Sequence, residues 1–510
     1  MKDFKETEYD ISNNLNSHNL LIDKEEKATK IKGKNDSSFE DKNFTYMGVV
    51  FQIIASAIPA TFGLLFVFVT ETINIIFIGQ KNNPNYIAAI GIGTLYVNAT
   101  GYIPAAGLLG GIDTICSQQF GRKRLDKVGI FASIGRVSVT LYFFFLTIPL
   151  NFLAYPALIA IGMEEEIVRL ATEFCHWMSI SVFFALQFNS TLRYLQAMNI
   201  FLPSSTITLV TSFIHPFWCY LLINKMDYGI PGAAIAMALT QGLNLIAVLI
   251  YAVYLNPYPE SWILFTSESF IPKNVFNYLK KAVPAALMFA ADYIGFEILT
   301  FMSSFLGSIQ MAGNICLFNY ITLIFMLQIG MSMAASTLVG NSIGAKNKEL
   351  ATAYANCSAC IGVCIMVVTT SLTLYFRDSI PQLYTNEPQV QKVFYDLLGI
   401  YVLFSIPDSY EVIVHGVIKG LGKQNIASII CLIILYPFNI TLGYTLAFYL
   451  DFGVKGLWYS QLTSVLLLAI SYAYIYSHVD LDEVIHEIEH MNVSKSVIKK
   501  EKTQEDEDEL

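Results

Sequence analysis

The sequence predicts an all-α integral membrane protein of twelve transmembrane helices, which form two like-oriented six-helix lobes around a central cleft. Three observations predict this fold: an apolar composition, apolar stretches of membrane-spanning length, and an internal repeat. Of the 510 residues, 54% are hydrophobic and 14% are charged, whereas about a quarter of the residues in a soluble protein are charged. A soluble globule of this composition would expose a large apolar surface to water.

The charged residues concentrate at the two ends of the chain. Residues 1–46 and 479–510 are polar, and the second segment includes the acidic run at 505–509. Low hydrophobicity and high charge are typical of disordered segments. We therefore expect a disordered N-terminal tail and an acidic C-terminal tail, and we assign neither a folded role.

Between the tails, apolar stretches long enough to cross a hydrocarbon core of about 30 Å follow one another almost without interruption. The predicted spans are 48–78, 86–112, 127–154, 167–187, 203–224, 230–255, 276–306, 315–338, 349–376, 394–417, 425–450 and 455–477. They divide the chain into an N-terminal lobe at 47–258, a polar linker at 259–273 and a C-terminal lobe at 274–478.

The distribution of Lys and Arg over the loops predicts the orientation in the membrane. An even number of spans places both ends of the chain on one side. The loops after the even-numbered helices hold most of the basic loop residues, including Arg122, Lys123, Arg193, Lys346 and Lys423. Basic residues in short loops stay on the cytosolic side, so both tails are predicted to be cytosolic. The membrane is either the plasma membrane or that of an acidic internal compartment.

The two predicted lobes are copies of one sequence unit. Matching residues recur in the same order at offsets of 223 to 226 residues. Several ordered matches at a nearly constant offset are improbable in unrelated segments and indicate an internal repeat. The matches are Pro59-Ala60 with Pro284-Ala285, Gly107, Thr114 and Gly121 with Gly330, Thr337 and Gly344, Asn199 with Asn425, and Gly229 and Gly232 with Gly453 and Gly456. Because each unit holds an even number of helices, the lobes are related by an axis along the membrane normal. Two such lobes can rock against each other around a central site, as transporters do.

Acidic residues inside the predicted spans are the candidate functional residues. A charge near the bilayer centre costs about 2.5–3.5 kcal/mol even on lenient scales. Five acids qualify, namely Glu71, Asp292, Glu297, Asp408 and Glu411.

Two of these acids lie deepest in the predicted spans. Asp292 and Asp408 are near the middle of spans seven and ten, and Arg136 is the one basic residue found at midspan. One base does not neutralise five acids, which favours a role in binding a cation or a proton. Pro407 predicts a kink or an unwound turn beside Asp408. Tyr293, Tyr320 and Tyr410 are candidate cleft aromatics, which would hold a cation by the ring face.

Several motifs resemble the multidrug and toxic compound extrusion (MATE) family in its eukaryotic form. They are GIDTICSQQFG at 111–121, RYLQAMNIFLPS at 193–204, VGNSIGA at 339–345, HGVIKGLGKQNI at 415–426 and GVKGLW at 453–458. The resemblance implies an antiporter that exports organic cations, drugs or metabolites in exchange for H+ or Na+, with no cofactor and as a monomer. It also implies that acids of the C-terminal lobe bind the coupling ion, at Asp292, Glu297 and Asp408.

The sequence departs from the family pattern at two positions. An acid that some members carry in helix eight falls at Asn319, and the helix-one Asp of prokaryotic relatives falls at Asn74. Glu71, one turn from Asn74, is the candidate substitute for that Asp.

Other classes of function have weaker support. A flippase for lipid-linked oligosaccharides would need a strongly basic cleft for a pyrophosphate group. An integral membrane enzyme would need paired His, a metal motif or a nucleophile with its base, and a channel would need a filter loop. Cys357, Cys360 and Cys364 stand alone in an apolar span, which is more typical of packing than of a metal site. The acidic tails do not favour binding to nucleic acid.

Overall fold

A computed structural model of the chain describes residues 44–81 and 84–491, apart from the side chains of Pro84 and Asp292. Within these residues the chain forms twelve long helices and no strand. They are α1 (Tyr46–Gly79), α2 (84–121), α3 (Leu125–Phe152), α4 (Glu165–Ala197), α5 (Leu202–Lys225), α6 (Gly229–Tyr254), α7 (Pro272–Ser304), α8 (Ser308–Gly344), α9 (Lys348–Tyr375), α10 (Pro388–Leu421), α11 (Gln424–Tyr449) and α12 (Val454–His478). A shorter helix, α13 (Leu481–Glu489), follows after a bend of 73°. Most of the predicted tails, residues 1–43 and 492–510, lie outside the described residues.

Among the described helices, nine are long and apolar enough to cross a membrane, or ten if α12 and α13 are counted as one bent span. The other two long helices, α2 and α4, bury polar side chains such as Gln118 and Gln187, which lowers their hydropathy. The all-helical membrane fold predicted from the sequence is confirmed. Helix α4 extends ten residues beyond its predicted end at 187, because its last three turns are polar and face protein instead of lipid.

The predicted internal repeat is visible in the backbone. Corresponding helices have nearly equal lengths, for example 34 and 33 residues for α1 and α7 and 28 residues each for α3 and α9. Non-glycine residues with positive φ recur at matched positions: Lys123 (58°) with Lys346 (62°), and Asp227 (54°) with Asp451 (57°). Since positive φ is rare for such residues, these matches indicate that α1–α6 (the N-lobe) and α7–α12 (the C-lobe) share one fold.

Helices α2 and α8 cross near their C-terminal ends through matched glycines. A Cβ atom on Gly121 would lie 1.9 Å from the carbonyl oxygen of Asn341, and one on Gly344 would lie 2.1 Å from that of Gln118. Gln118 and Asn341 are themselves partners in the repeat. This reciprocal contact is what a two-fold relation between the lobes requires, and only glycine permits such a close approach.

The lobes share a core at one end and have separate cores at the other. One hydrophobic cluster joins both lobes, through residues such as Ile53 and Leu109 of the N-lobe and Leu338 and Val417 of the C-lobe. Two further clusters belong to one lobe each, around Phe174 in the N-lobe and Phe404 in the C-lobe. The lobes are therefore packed together at the end that carries the α2–α3, α8–α9 and α10–α11 loops, here called the basic end.

Helix α13 lies across the basic end and contacts both lobes. Its apolar residues Val484 and Ile488 are buried in the shared cluster. Its acids pair with lysines of the C-lobe, including Lys423 with Glu487 at 2.8 Å and Lys346 with Glu489. At its C-terminal end, the carbonyl oxygen of Ile488 accepts a hydrogen bond from Arg122 of the N-lobe at 2.5 Å.

Docking of α13 is expected to depend on pH. The hydrogen bond and positive charge of Lys346 hold the pKa of Glu489 below its ordinary value. The stabilisation is therefore complete above the ordinary Glu pKa and is lost as the pH falls through the lower value of the folded state. We expect hydrogen exchange of 481–489, corrected for its intrinsic pH dependence, to accelerate under acid. Glu489→Gln should accelerate it already at neutral pH, whereas Glu165→Gln, far from α13, should not.

Candidate functional site

A cavity of about 370 Å³ lies between the lobes, above their shared core. Its walls come from α1, α2, α4 and α5 of the N-lobe and from α7, α8 and α10 of the C-lobe. Most lining side chains are apolar, among them Phe289, Phe296, Phe318, Phe325 and Met326. An apolar cavity of this size with a few polar groups is the usual form of a small-molecule site.

Four residues of α10, three of them polar, form a single stripe along the cavity. Asp408, Val412, His415 and Lys419 all line it, and their spacing of four, three and four residues places them on one helix face. The stripe begins with an acid that is only 5% exposed and ends with a base. Helix α10 is continuous from Pro388 to Leu421, so the unwound turn considered at Pro407 is absent.

An ion triad closes the cavity at the basic end. Asp113 of α2 accepts hydrogen bonds from Arg193 of α4 and from Lys419 of α10, the latter at 2.9 Å. Lys419 belongs to the C-lobe and the other two residues to the N-lobe, so the triad joins the lobes. Two further contacts support it: Thr114 donates to the carbonyl oxygen of Lys419 at 2.9 Å, and Gln118 donates to that of Gly420 at 2.9 Å.

Two acids lie near Tyr293, which lines the cavity from α7. Glu71 of α1 and Glu297 of α7 are both half-buried and lie within electrostatic reach of the Tyr293 hydroxyl, which has the Asn98 side chain as a hydrogen-bond partner. Glu71 also lies within electrostatic reach of the Tyr102 hydroxyl. Asn98 and Tyr102 bound a π-helical turn of α2, which widens the helix where it faces these acids. One acid from each lobe thus lies within electrostatic reach of Tyr293.

Asn74 belongs to a buried cluster inside the N-lobe. Its side-chain oxygen lies 3.3 Å from Nε2 of His215 and 3.2 Å from Sγ of Cys219, and Nδ1 of His215 lies 2.8 Å from Thr240. His215 is fully buried between α1, α5 and α6. The cluster joins three helices of one lobe and is separate from the residues that line the cavity.

Four other candidate residues do not line the central cavity. Glu411 is buried, one turn from Asp408. Asn319 is exposed and its amide bonds its own helix, to the carbonyl oxygen of Ile315. Tyr320 packs in the C-lobe core, and Tyr410 lines a separate groove between α9, α10 and α12. Asp292 is on α7, but its side chain lies outside the described residues.

Sequence reasoning missed Arg193 and Lys419 as site residues. Arg193 was counted among the loop bases, but it lies within α4 and lines the cavity. Lys419 was quoted only within a motif. The signal that would have found Lys419 is its spacing of eleven residues from Asp408, which returns to the same face of a helix. The shared partner of both bases, Asp113, is a buried residue of α2.

Two matched lobes around a cavity that is closed at one end define a two-lobed integral membrane transporter. Comparison with known proteins identifies its family. The family model described as MatE matches the chain twice, at residues 59–221 and 284–445, once in each lobe and over more than half of the chain. The protein therefore belongs to the MATE family of multidrug and toxic compound extrusion transporters.

Individual relatives agree with this assignment. Protein DETOXIFICATION 9 of Arabidopsis thaliana is 27% identical over 383 residues, which are 74% of this chain and 78% of the relative. Multidrug and toxin extrusion protein 2 of Mus musculus is 26% identical over 426 residues, which are 82% of this chain and 73% of the relative. The crystal structure of the eukaryotic MATE transporter AtDTX14 superposes with a TM-score of 0.81 at 21% identity, covering 87% of this chain and 98% of that structure. That likeness shows the shared fold.

Proposed function

We propose that this protein is a secondary antiporter that exports organic cations in exchange for H+, with Asp408 as the coupling residue. The observation that carries the proposal is a buried carboxylate on the wall of the inter-lobe cavity. A carboxylate removed from water is stabilised either by a proton or by a bound cation. Asp408 therefore offers one site for which the two compete. The names of the mouse and Arabidopsis relatives, which refer to toxin extrusion and detoxification, support export.

Competition at Asp408 couples the two movements. When an organic cation occupies the cavity, the carboxylate is ionised and pairs with it. When a proton arrives from the other side, the neutral acid no longer holds the cation, which leaves. Glu71 and Glu297, which lie near the cavity-lining Tyr293, are the further sites proposed for a proton or a cation in transit.

The closed basic end supports alternating access. In the structure the ion triad, the α2–α8 crossing and α13 hold the lobes together at that end. A second state, in which these contacts separate and the opposite ends of the lobes meet, would expose the cavity to the other side. Rocking of the two lobes around a fixed site is a known mechanism of secondary transporters.

Gradient-driven transport is the direct test. We expect proteoliposomes with an imposed pH gradient to accumulate a fluorescent organic cation several-fold more than vesicles without a gradient, and an uncoupler of the proton gradient to abolish the difference. Accumulation that required a Na+ gradient instead would assign the coupling ion as Na+. Absence of accumulation with either gradient would contradict the proposed cation export.

We also propose that the basic end faces the cytosol, since Lys and Arg of short loops concentrate there. Lys346→Cys, in the α8–α9 loop, should react with a membrane-impermeant thiol reagent only after the cells are permeabilised. Asp378→Cys, in the α9–α10 connection at the opposite end, should react in intact cells. The reverse pattern would invert the topology.

A further inference from the structure

The ion triad presents positive charge to the cavity. Arg193 and Lys419 line the cavity, whereas Asp113, the carboxylate that pairs with both, lies behind them and is not a lining residue. The side chains of the two bases are only 15% and 13% exposed. Two bases and one acid leave a net charge of +1 in a largely desolvated place, where an uncompensated charge is unfavourable.

Both bases retain donor groups beyond those used by Asp113. Lys419 has three N–H donors and Arg193 has five, and the structure pairs Nζ of the first and Nη1 of the second with one oxygen of Asp113. Carboxylate, sulfonate and phosphate groups are the ligands that such donors bind most strongly. The floor of the cavity therefore has the chemistry of an oxyanion site.

The same cavity has an acid at the other end of the α10 stripe. Asp408 and Lys419 are eleven residues apart, which corresponds to about 16 Å along a helix axis. Lysine is the longer side chain and side chains lean toward the helix N-terminus, so the charged groups are closer than the helix positions. Between them the wall combines the apolar side chains of Val412 on α10 and of Ile329 and Met333 on α8 with the polar His415. The cavity thus carries opposite charges at two separated points, negative at Asp408 and positive at Lys419.

We infer that the cavity selects zwitterionic amphiphiles, with a basic amine held at Asp408 and an oxyacid group held between Arg193 and Lys419. This inference rests on the proposed export function and specifies its substrate class. A plain organic cation uses only the Asp408 end of the cavity. A zwitterion of matching length also neutralises the net positive charge of the ion triad, and since Arg193 and Lys419 belong to opposite lobes, its oxyacid group bridges the lobes as Asp113 does.

A matched pair of ligands tests the inference. The probes are a coumarin that carries a dimethylaminoethoxy group at one end and a carboxylate at the other, and the methyl ester of that compound, which is a cation. Binding is measured at equilibrium in nanodiscs, without a gradient, and uptake is measured separately in proteoliposomes. We expect the wild type to bind the zwitterion about tenfold more tightly than the ester, as charge-assisted hydrogen bonds to one oxyanion would give.

The variants separate the oxyanion site from general effects. Lys419→Gln keeps the Arg193–Asp113 pair and removes the net charge, so it should abolish the preference for the zwitterion over the ester. Lys455→Gln, the same substitution at a lysine that pairs with Asp396 outside the cavity, should leave the preference intact. Equal binding of both probes by the wild type, or an equal loss of both in Lys419→Gln, would overturn the inference. Failure of the proposed function appears separately, as absence of gradient-driven uptake of either probe despite binding.

Discussion

Asp408→Asn is expected to reduce pH-gradient-driven uptake of an organic cation at least tenfold. Asparagine has nearly the shape of aspartate, but it neither releases a proton nor carries the negative charge that pairs with a cation. Because Asp408 is buried on the cavity wall, solvent does not replace the lost charge. Initial uptake rates in proteoliposomes, measured over a series of external pH values, are the readout. The residual rate of the variant should no longer depend on pH.

A matched control is available on the same helix. Asp396 is also on α10, but it is partly exposed and pairs with Lys455 at 2.9 Å. Asp396→Asn should therefore retain both the rate and the pH profile of the wild type. If Asp408→Asn instead kept its pH dependence, the coupling site would have to be sought elsewhere, first at Glu71 and Glu297 around Tyr293.

The architecture could be predicted from the sequence because its causes are local or periodic. The thickness of the bilayer sets the length of each apolar stretch. The repeat is visible at positions where the backbone conformation or a close helix contact requires glycine. Gly229 and Gly453, matched in the sequence, both adopt positive φ, 56° and 58°. Gly121 and Gly344 both allow the close α2–α8 crossing. Such positions tolerate few residue types, so the match persists in the sequence.

The composition of the cavity could be predicted only in part. Asp408 was recognised because an acid in an apolar span is costly wherever the span packs. Tyr320 and Tyr410 were expected in the cleft, and the structure places one in a lobe core and the other in a lateral groove. Hydropathy does not distinguish a helix face that lines the cavity from one that packs in the interior of a lobe. That distinction depends on the packing of helices distant in sequence.

The ion triad shows the same limit more clearly. Arg193 was taken as a loop residue because the hydropathy of α4 ends near 187, although the helix continues to Ala197. Asp113 and Lys419 are 306 positions apart, and no local pattern relates them. The charges that close the basic end were therefore visible in the sequence as separate residues, but not as one site.

Asp113→Asn is expected to open the basic end. The substitution leaves two largely buried cations next to each other without their shared carboxylate, and loss of one partner of a buried ion pair destabilises by about 3–5 kcal/mol. Separation of the lobes at this end lets water reach both cations, so the population should shift toward that state by two orders of magnitude or more. Met333→Cys, which places a thiol on the cavity wall, reports this opening. An impermeant thiol reagent on the basic side should label it much faster in the Asp113→Asn background.

We attribute this opening to the lost negative charge of Asp113 and not to a change in side-chain shape. A second substitution distinguishes these two causes. Lys419→Gln added to Asp113→Asn removes one of the two unpaired cations, so the double variant should recover part of the slow labelling, with a coupling of at least about 1 kcal/mol. Asp126→Asn, at the start of α3 near the same end, should not change the labelling. If Asp113→Asn labelled no faster than the wild type, the glycine crossing and α13 would be sufficient to hold the lobes together, and the ion triad would act on the substrate alone.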